Sequence, residues 1–179
     1  MSEIAKRNLK PDAGTTLRKV LKMGLESYMR DFEVVSVSAT KEHSLEKAMA
    51  KMSVEWEPLV FNISKYKETN QYILSSVDEI QAQLDDHIVK VQTMKANPFI
   101  KPFEKEIRDL EDRLLLIQNI IDEWLKVQQN WMYLDPIFAS EDINLQMPEE
   151  GRLFTTVDRN FKDIMKHVVK DTRVNRKLF

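Results

Sequence analysis

Residues Phe103–Phe138, FEKEIRDLEDRLLLIQNIIDEWLKVQQNWMYLDPIF, decide how this chain folds. Apolar side chains recur at Phe103, Ile107, Leu110, Leu114, Ile117, Ile121, Trp124 and Trp131 in alternating four- and three-residue steps, with Gln128 the polar occupant of the seam. That spacing predicts one long amphipathic helix. At about 1.5 Å per residue its Phe103–Trp131 portion reaches on the order of 45 Å. A primary amide on an apolar seam needs a polar partner, so Gln128 marks the place to look for a gap or a crossing backbone. Asn97-Pro98 and Pro102 permit the helix to begin, and Asp135-Pro136 is expected to end it, because the residue before a proline is pushed out of helical geometry. The expected span is 98–135. On its outer faces Glu104/Arg108, Lys105/Asp109, Asp109/Arg113 and Asp122/Lys126 stand four apart, each pair contributing only a few tenths of a kcal/mol.

Upstream, residues 1–16 are polar, carry Pro11 and Gly14, and read as a loosely held arm. Leu17, Val20, Leu21, Leu25, Tyr28, Met29 and Phe32 keep helix spacing, with Thr15 or Thr16 available as a cap and Gly24 a weak point. The β-branched run Val34-Val35-Ser36-Val37-Ser38 predicts a break, and Leu45, Ala48, Met49, Met52 and Trp56 a second helix ending near Pro58. The two would make an antiparallel pair over 17–58. Leu59, Phe61 and Ile63 then alternate with Val60, Asn62 and Ser64, and Gln71-Tyr72-Ile73-Leu74 follows Lys67-Glu68-Thr69-Asn70. That pattern predicts a β-hairpin over 59–75, with Asn70 the residue best suited to a left-handed turn. Ser76-Val77-Asp78-Glu79 reads as a capping box ahead of a helix over 76–95 bearing Val77, Ile80, Leu84, Ile88, Val91 and Met94. Downstream of the long helix, Ile137–Gln146 reads as an irregular connector. Pro148-Glu149-Glu150 resembles a first helical turn, and Phe154, Val157, Phe161, Ile164, Met165 and Val168 complete a last helix, so connector and helix together span 137–170. Gly151 weakens its start. The seam of the long helix is expected to be covered by the Leu17–Trp56 and Val77–Met94 segments. The fold class is therefore mainly α, an elongated helical bundle built on one long helix, with one small β-hairpin.

Composition narrows the function. The chain has 179 residues, three glycines, nine methionines and no cysteine. The missing cysteines exclude a disulfide framework and a thiolate metal site, in keeping with a reducing compartment. A formal net charge of −2 gives no overall field to draw nucleic acid or an anionic membrane. Phosphate-cradling glycine loops are absent, so no ATP site is expected within these residues. His43, His87 and His167 lie on separate segments outside any Glu-x-x-His pair and read as solvated helix surface. Neither a catalytic group, a cofactor site nor a metal site is expected. Trp56, Phe103, Trp124, Trp131, Tyr133, Pro136 and Phe138 are the candidate core or interaction anchors, Trp124 and Trp131 because they fall in register with the seam.

The words from Asp122-Glu123-Trp124 through Trp131-Met132-Tyr133-Leu134-Asp135-Pro136-Ile137-Phe138 to Ile143 closely resemble the linker region of dynein heavy chains. The resemblance continues in Ser38–Glu42, Leu45–Ala48, Ile73–Ile80, Leu84–His87, Gln92–Met94, Pro98–Glu104 and Gln146–Gly151, covering nearly the whole chain. Pro98–Glu104 and Asp135–Ile143 look most like axonemal heavy chains of the single-headed inner-arm type. Two positions depart from the family: Thr69-Asn70-Gln71 replaces a Thr-Gly-Thr-like turn, and Phe161 stands where a tryptophan usually follows the Val-Asp pair. The resemblance implies the N-terminal portion of a dynein linker, a non-catalytic lever in a minus-end-directed microtubule motor of the cytoskeleton and ciliary axoneme. It implies that ATP and Mg bind in an AAA+ ring, and microtubules to a stalk, both outside these residues. The implied partners are the rest of the heavy chain, ring and tail, and the subunits of the dynein complex. A free-standing spectrin-like helical adaptor is the competing reading; it leaves the hairpin and the Tyr133–Phe138 end without a reason to exist.

Overall fold

The computed structural model describes residues 14–22 and 24–174, so the sequence-predicted arm falls outside the described residues over 1–13, as does the basic tail over 175–179. The chain divides into two compact units, Met1–Ser44 and Leu45–Phe179. In the first, α1 (Leu17–Lys22) starts at Thr16, whose Oγ1 accepts from the Lys19 amide at 3.4 Å. A left-handed Gly24 (φ 63°) then turns the chain into a 3-10 segment, Leu25–Tyr28, and α2 (Met29–Glu55) follows. The break expected at Val34–Ser38 does not occur; α2 runs through it, and the antiparallel pair is replaced by one helix. A β-branched residue costs a helix only a few tenths of a kcal/mol, whereas Gly24 adopts a backbone conformation that no helix contains. The hydroxyls of the stretch do not divert the backbone either: Thr40 donates to the Ser36 carbonyl and Ser44 to that of Thr40, both at 2.8 Å. Leu17, Leu21 and Met29, read as part of a covered stripe, are exposed.

The second unit is organised by α4 (Glu104–Phe138), 35 residues long and preceded by a 3-10 turn at Lys101–Phe103. α3 (Asp78–Lys95) packs along it. Ile80, Leu84, Ile88 and Val91 meet Ile107, Leu114, Ile117 and Ile121, with Leu45, Met52 and Trp56 from the end of α2 in the same core. Lys95 Nζ closes one end of this pairing on Glu111 Oε2 at 2.6 Å. The capping box does not form: Ser76 Oγ donates to Asp78 Oδ2 instead, and Val77 occupies the cap position with no side-chain bond to the helix. Arg108 pairs with Glu104 as expected, while Lys126 reaches Glu123 rather than Asp122.

Strands β1 (Asn62–Lys65) and β2 (Tyr72–Ser76) form the antiparallel hairpin, in register Ile63 to Leu74 and Lys65 to Tyr72. Its left-handed residue is Lys67 (φ 51°), not Asn70; the Thr69 side chain hydrogen-bonds the Tyr66 carbonyl and so settles the turn around Lys67. A short third segment joins it, as the Phe61 amide donates to the Thr172 carbonyl (2.8 Å) and the Val174 amide to that of Leu59 (3.0 Å). The connector is also more regular than its sequence suggests, since Glu141–Gln146 is a helix, α5. Helix α6 (Pro148–Lys170) follows and lies against α4. Gly151, read as a weakness, is buried where a Cβ would stand 2.5 Å from Asn144 Oδ1. It leaves room for the Asn144 amide, which donates to the Phe138 (2.7 Å) and Ser140 (2.9 Å) carbonyls at the end of α4.

Candidate functional site

The place where sequence-predicted residues converge is the docking of the hairpin onto the last third of α4. The helix does not stop at Asp135; Pro136 lies inside it and the helix continues to Phe138. A proline has no N–H, so the carbonyl four residues back, that of Met132, loses its helical donor. The Tyr66 hydroxyl supplies the replacement, donating to the Met132 carbonyl at 3.3 Å. One turn earlier Gln128 meets the crossing backbone its position called for. Its Oε1 accepts from the Leu74 amide and its Nε2 donates to the Leu74 carbonyl, both at 2.8 Å. The side-chain amide thus behaves as one more residue of β-ladder on the free edge of β2, satisfying two buried backbone groups at once.

Between these two anchors lies a small aromatic core. Trp131, 1% exposed, sits 4.9 Å from Tyr66 and stacks on Phe161 at 4.7 Å, with Met165 completing the cluster. Its indole N–H donates to Asp158 Oδ1 at 2.9 Å, and Asp158 is held in turn by Lys162 Nζ at 2.8 Å. Phe161 therefore fills its place by stacking. Trp124, one helical repeat before, packs against Phe61 at 5.3 Å, and its Nε1 is buried without a hydrogen-bond partner.

The remaining predicted anchors divide. Trp56 is fully buried and Phe103 is half-buried against the main core. Phe138 stacks on Phe154 at 5.1 Å. Tyr133, 70% exposed, and the exposed Pro136 ring face outward on the far side of α4.

One polar cluster escaped sequence reasoning. His87, read as solvated surface, is 0% exposed. Its Nδ1 accepts from the Trp56 indole N–H at 2.9 Å, which leaves Nε2–H to donate to Glu55 Oε2 at 2.9 Å. A histidine with both ring nitrogens paired can be buried without an unsatisfied polar atom. The His87 hydrogen bond, the first cause, and nearby Lys51 and Lys90 hold the Glu55 carboxyl below its ordinary 4.5 despite some opposing desolvation. Lys90, hydrogen-bonded at 2.5 Å, likewise lowers Asp86. The only legible signal was the position: His87 falls three residues after Leu84 and four before Val91, on the buried face of α3. This chain, Trp56–His87–Glu55, ties the end of α2 to α3. Among the described residues there is no group of three or more His, Cys, Asp or Glu side chains able to hold a metal ion.

The hairpin is thus hydrogen-bonded to α4 at two points, the Gln128 side chain and the Met132 carbonyl. Comparison with known proteins accords with the resemblance in the sequence. The chain is 63% identical over 174 residues to dynein axonemal heavy chain 12 of Rattus norvegicus, covering 97% of this chain and 6% of that protein. It is 45% identical to dynein axonemal heavy chain 3 of Homo sapiens, over 97% of this chain and 4% of that one. With human dynein axonemal heavy chain 1 it shares 42% identity over 93% of its own length and 4% of the relative's. The chain therefore spans about a twentieth of the length of these relatives. The family model described as dynein heavy chain, N-terminal region 2, matches residues 1–178, and the chain belongs to that family.

Proposed function

We propose that these residues form a non-catalytic lever, the N-terminal portion of the linker of an axonemal dynein heavy chain. They transmit displacements produced by ATP hydrolysis in the AAA+ ring toward the tail, in a minus-end-directed microtubule motor of the cilium. The axonemal setting follows the names of the relatives at 63%, 45% and 42% identity. The observation that carries the mechanical role is the double anchoring of the hairpin on α4, which keeps that helix continuous across Pro136. Sharp kinks occur where the helical hydrogen-bond ladder is interrupted, and a kink would absorb a displacement instead of passing it on. Supplying the missing bond from a second element, and packing Trp131 between two rings beside it, removes that compliant point. In this reading ATP and Mg act in the ring, microtubules meet the stalk, and the partners of these residues are the ring, the tail and other dynein subunits.

The test is twofold. The 179-residue chain is expected neither to hydrolyse ATP nor to pellet with microtubules, and activity in either assay overturns the assignment. In a heavy chain carrying this sequence, the double variant Tyr66→Phe, Gln128→Leu is expected to slow microtubule gliding while leaving ATP turnover intact. Gliding and turnover that stay equal to wild type would remove the lever reading.

A further inference from the structure

The buried ring of His87 sits between two partners of opposite demand. The Trp56 indole N–H can only donate, so the Nδ1 it reaches at 2.9 Å must present a lone pair. The one hydrogen of the neutral ring is therefore on Nε2, facing Glu55 Oε2 at 2.9 Å. Gln83 lies beside Nε2, and its amide donates to the same carboxylate oxygen at 3.4 Å. A second proton has one place to go, Nδ1, and there it would set N–H against N–H at hydrogen-bonding distance. The imidazolium keeps Glu55 and loses Trp56.

The charges around the ring do not reserve it for one form. Glu55 and Lys51 face it from α2 and pair with each other at 3.6 Å; Asp86 and Lys90 do the same from α3 at 2.5 Å. The other elements bring apolar groups to this core: Ile107, Leu114, Ile117 and Ile121 from α4, Leu74 from β2, and Phe61 and Val174 from the short strand pairing, where Arg173 is closed on Asp171. What separates the two protonation states is then the bond to Trp56. That side chain is fully buried directly after α2, and three residues on the Leu59 carbonyl holds the Val174 amide at 3.0 Å. We propose that His87 is a proton-binding site that works as a latch. The neutral ring fastens the end of α2 to α3 through Trp56; protonation releases Trp56 and loosens the pairing of residues 59–61 with 172–174.

The experiment follows the tryptophan indole N–H groups and the histidine ring nitrogens of the 179-residue chain by NMR between about pH 7.5 and about pH 5.5, the range in which an imidazole changes charge. At the upper value the His87 ring is expected to carry its hydrogen on Nε2. As it takes up a proton, the protection of the Trp56 indole hydrogen from exchange, corrected for intrinsic pH dependence, should fall about tenfold, the factor that one hydrogen bond is worth. Protection of the Val174 amide should fall at the same midpoint, while the Trp131 indole, bonded to Asp158, keeps its own. In His87→Asn a side-chain oxygen that does not titrate can take the place of Nδ1, and Trp56 should stay protected over the whole range. Trp56→Phe is the second variant: with no indole bond to lose, its Val174 amide should show the same protection at both ends of the range. A ring with its hydrogen on Nδ1 at the upper pH, or a ring still neutral at the lower, overturns the proposal. So does Trp56 protection that ignores the protonation of His87, or loss of Trp131 protection in the same step.

Discussion

Tyr66→Phe removes one oxygen and tests the account of how α4 passes its proline. The Tyr66 ring is buried between the hairpin and Trp131, and phenylalanine keeps that packing. What disappears is the donor to the Met132 carbonyl, which Pro136 already deprives of its helical amide. A buried group left unpaired costs about 1–3 kcal/mol. At 3.3 Å the bond is at the long end of the range, which places the expected loss at about 1–2 kcal/mol. The second arm of the test is Pro136→Ala, which restores an amide four residues after Met132. In that background Tyr66→Phe should cost less than about 0.5 kcal/mol, giving a coupling energy of about 1 kcal/mol, well above the few tenths expected of independent sites. Urea unfolding of all four proteins measures it, read as midpoint shifts at constant slope. Equal costs of Tyr66→Phe in both backgrounds would refute the idea that the hydroxyl stands in for the missing amide, and with it the physical basis of the proposed lever.

Three other outcomes are expected. Gln128→Leu leaves the amide and the carbonyl of Leu74 unpaired and should cost about 2–4 kcal/mol, with faster hydrogen exchange at the Leu74 amide; an unaltered exchange rate there would contradict the ladder role. The two seam tryptophans should part company on replacement by phenylalanine. Trp131→Phe loses the bond to Asp158 and should cost about 1–2 kcal/mol more in thermal unfolding than Trp124→Phe, whose indole N–H has no partner to lose. Because Glu55 and Asp86 have folded values below their ordinary 4.5 and 3.8, they add stability that is fully present above those values. It is lost as pH falls through the lower folded values. The urea midpoint should therefore drop on acidification below about pH 4.5, and less steeply in Glu55→Gln, Asp86→Asn.

Periodicity alone determined that the molecule is mainly helical, that one helix dominates, that a hairpin interrupts the helices near residues 59–75, and that a last helix begins at Pro148. Those features arise from neighbours within one or two turns, and the positions of Ile107, Leu114, Ile117 and Ile121 on one face are written in their spacing. The anomaly of Gln128 was also visible, although its partner was not. What only the tertiary structure decided involves partners distant in sequence. Leu74 and Gln128 are 54 residues apart and Tyr66 and Met132 are 66 apart, and the second of these bonds lets a helix outlast the proline that local rules say should end it. His87 and Trp56, 31 apart, exchange a hydrogen bond that turns an apparent surface histidine into a core residue. Local chemistry sets which groups require a partner; only the folded chain sets which distant residue meets the requirement.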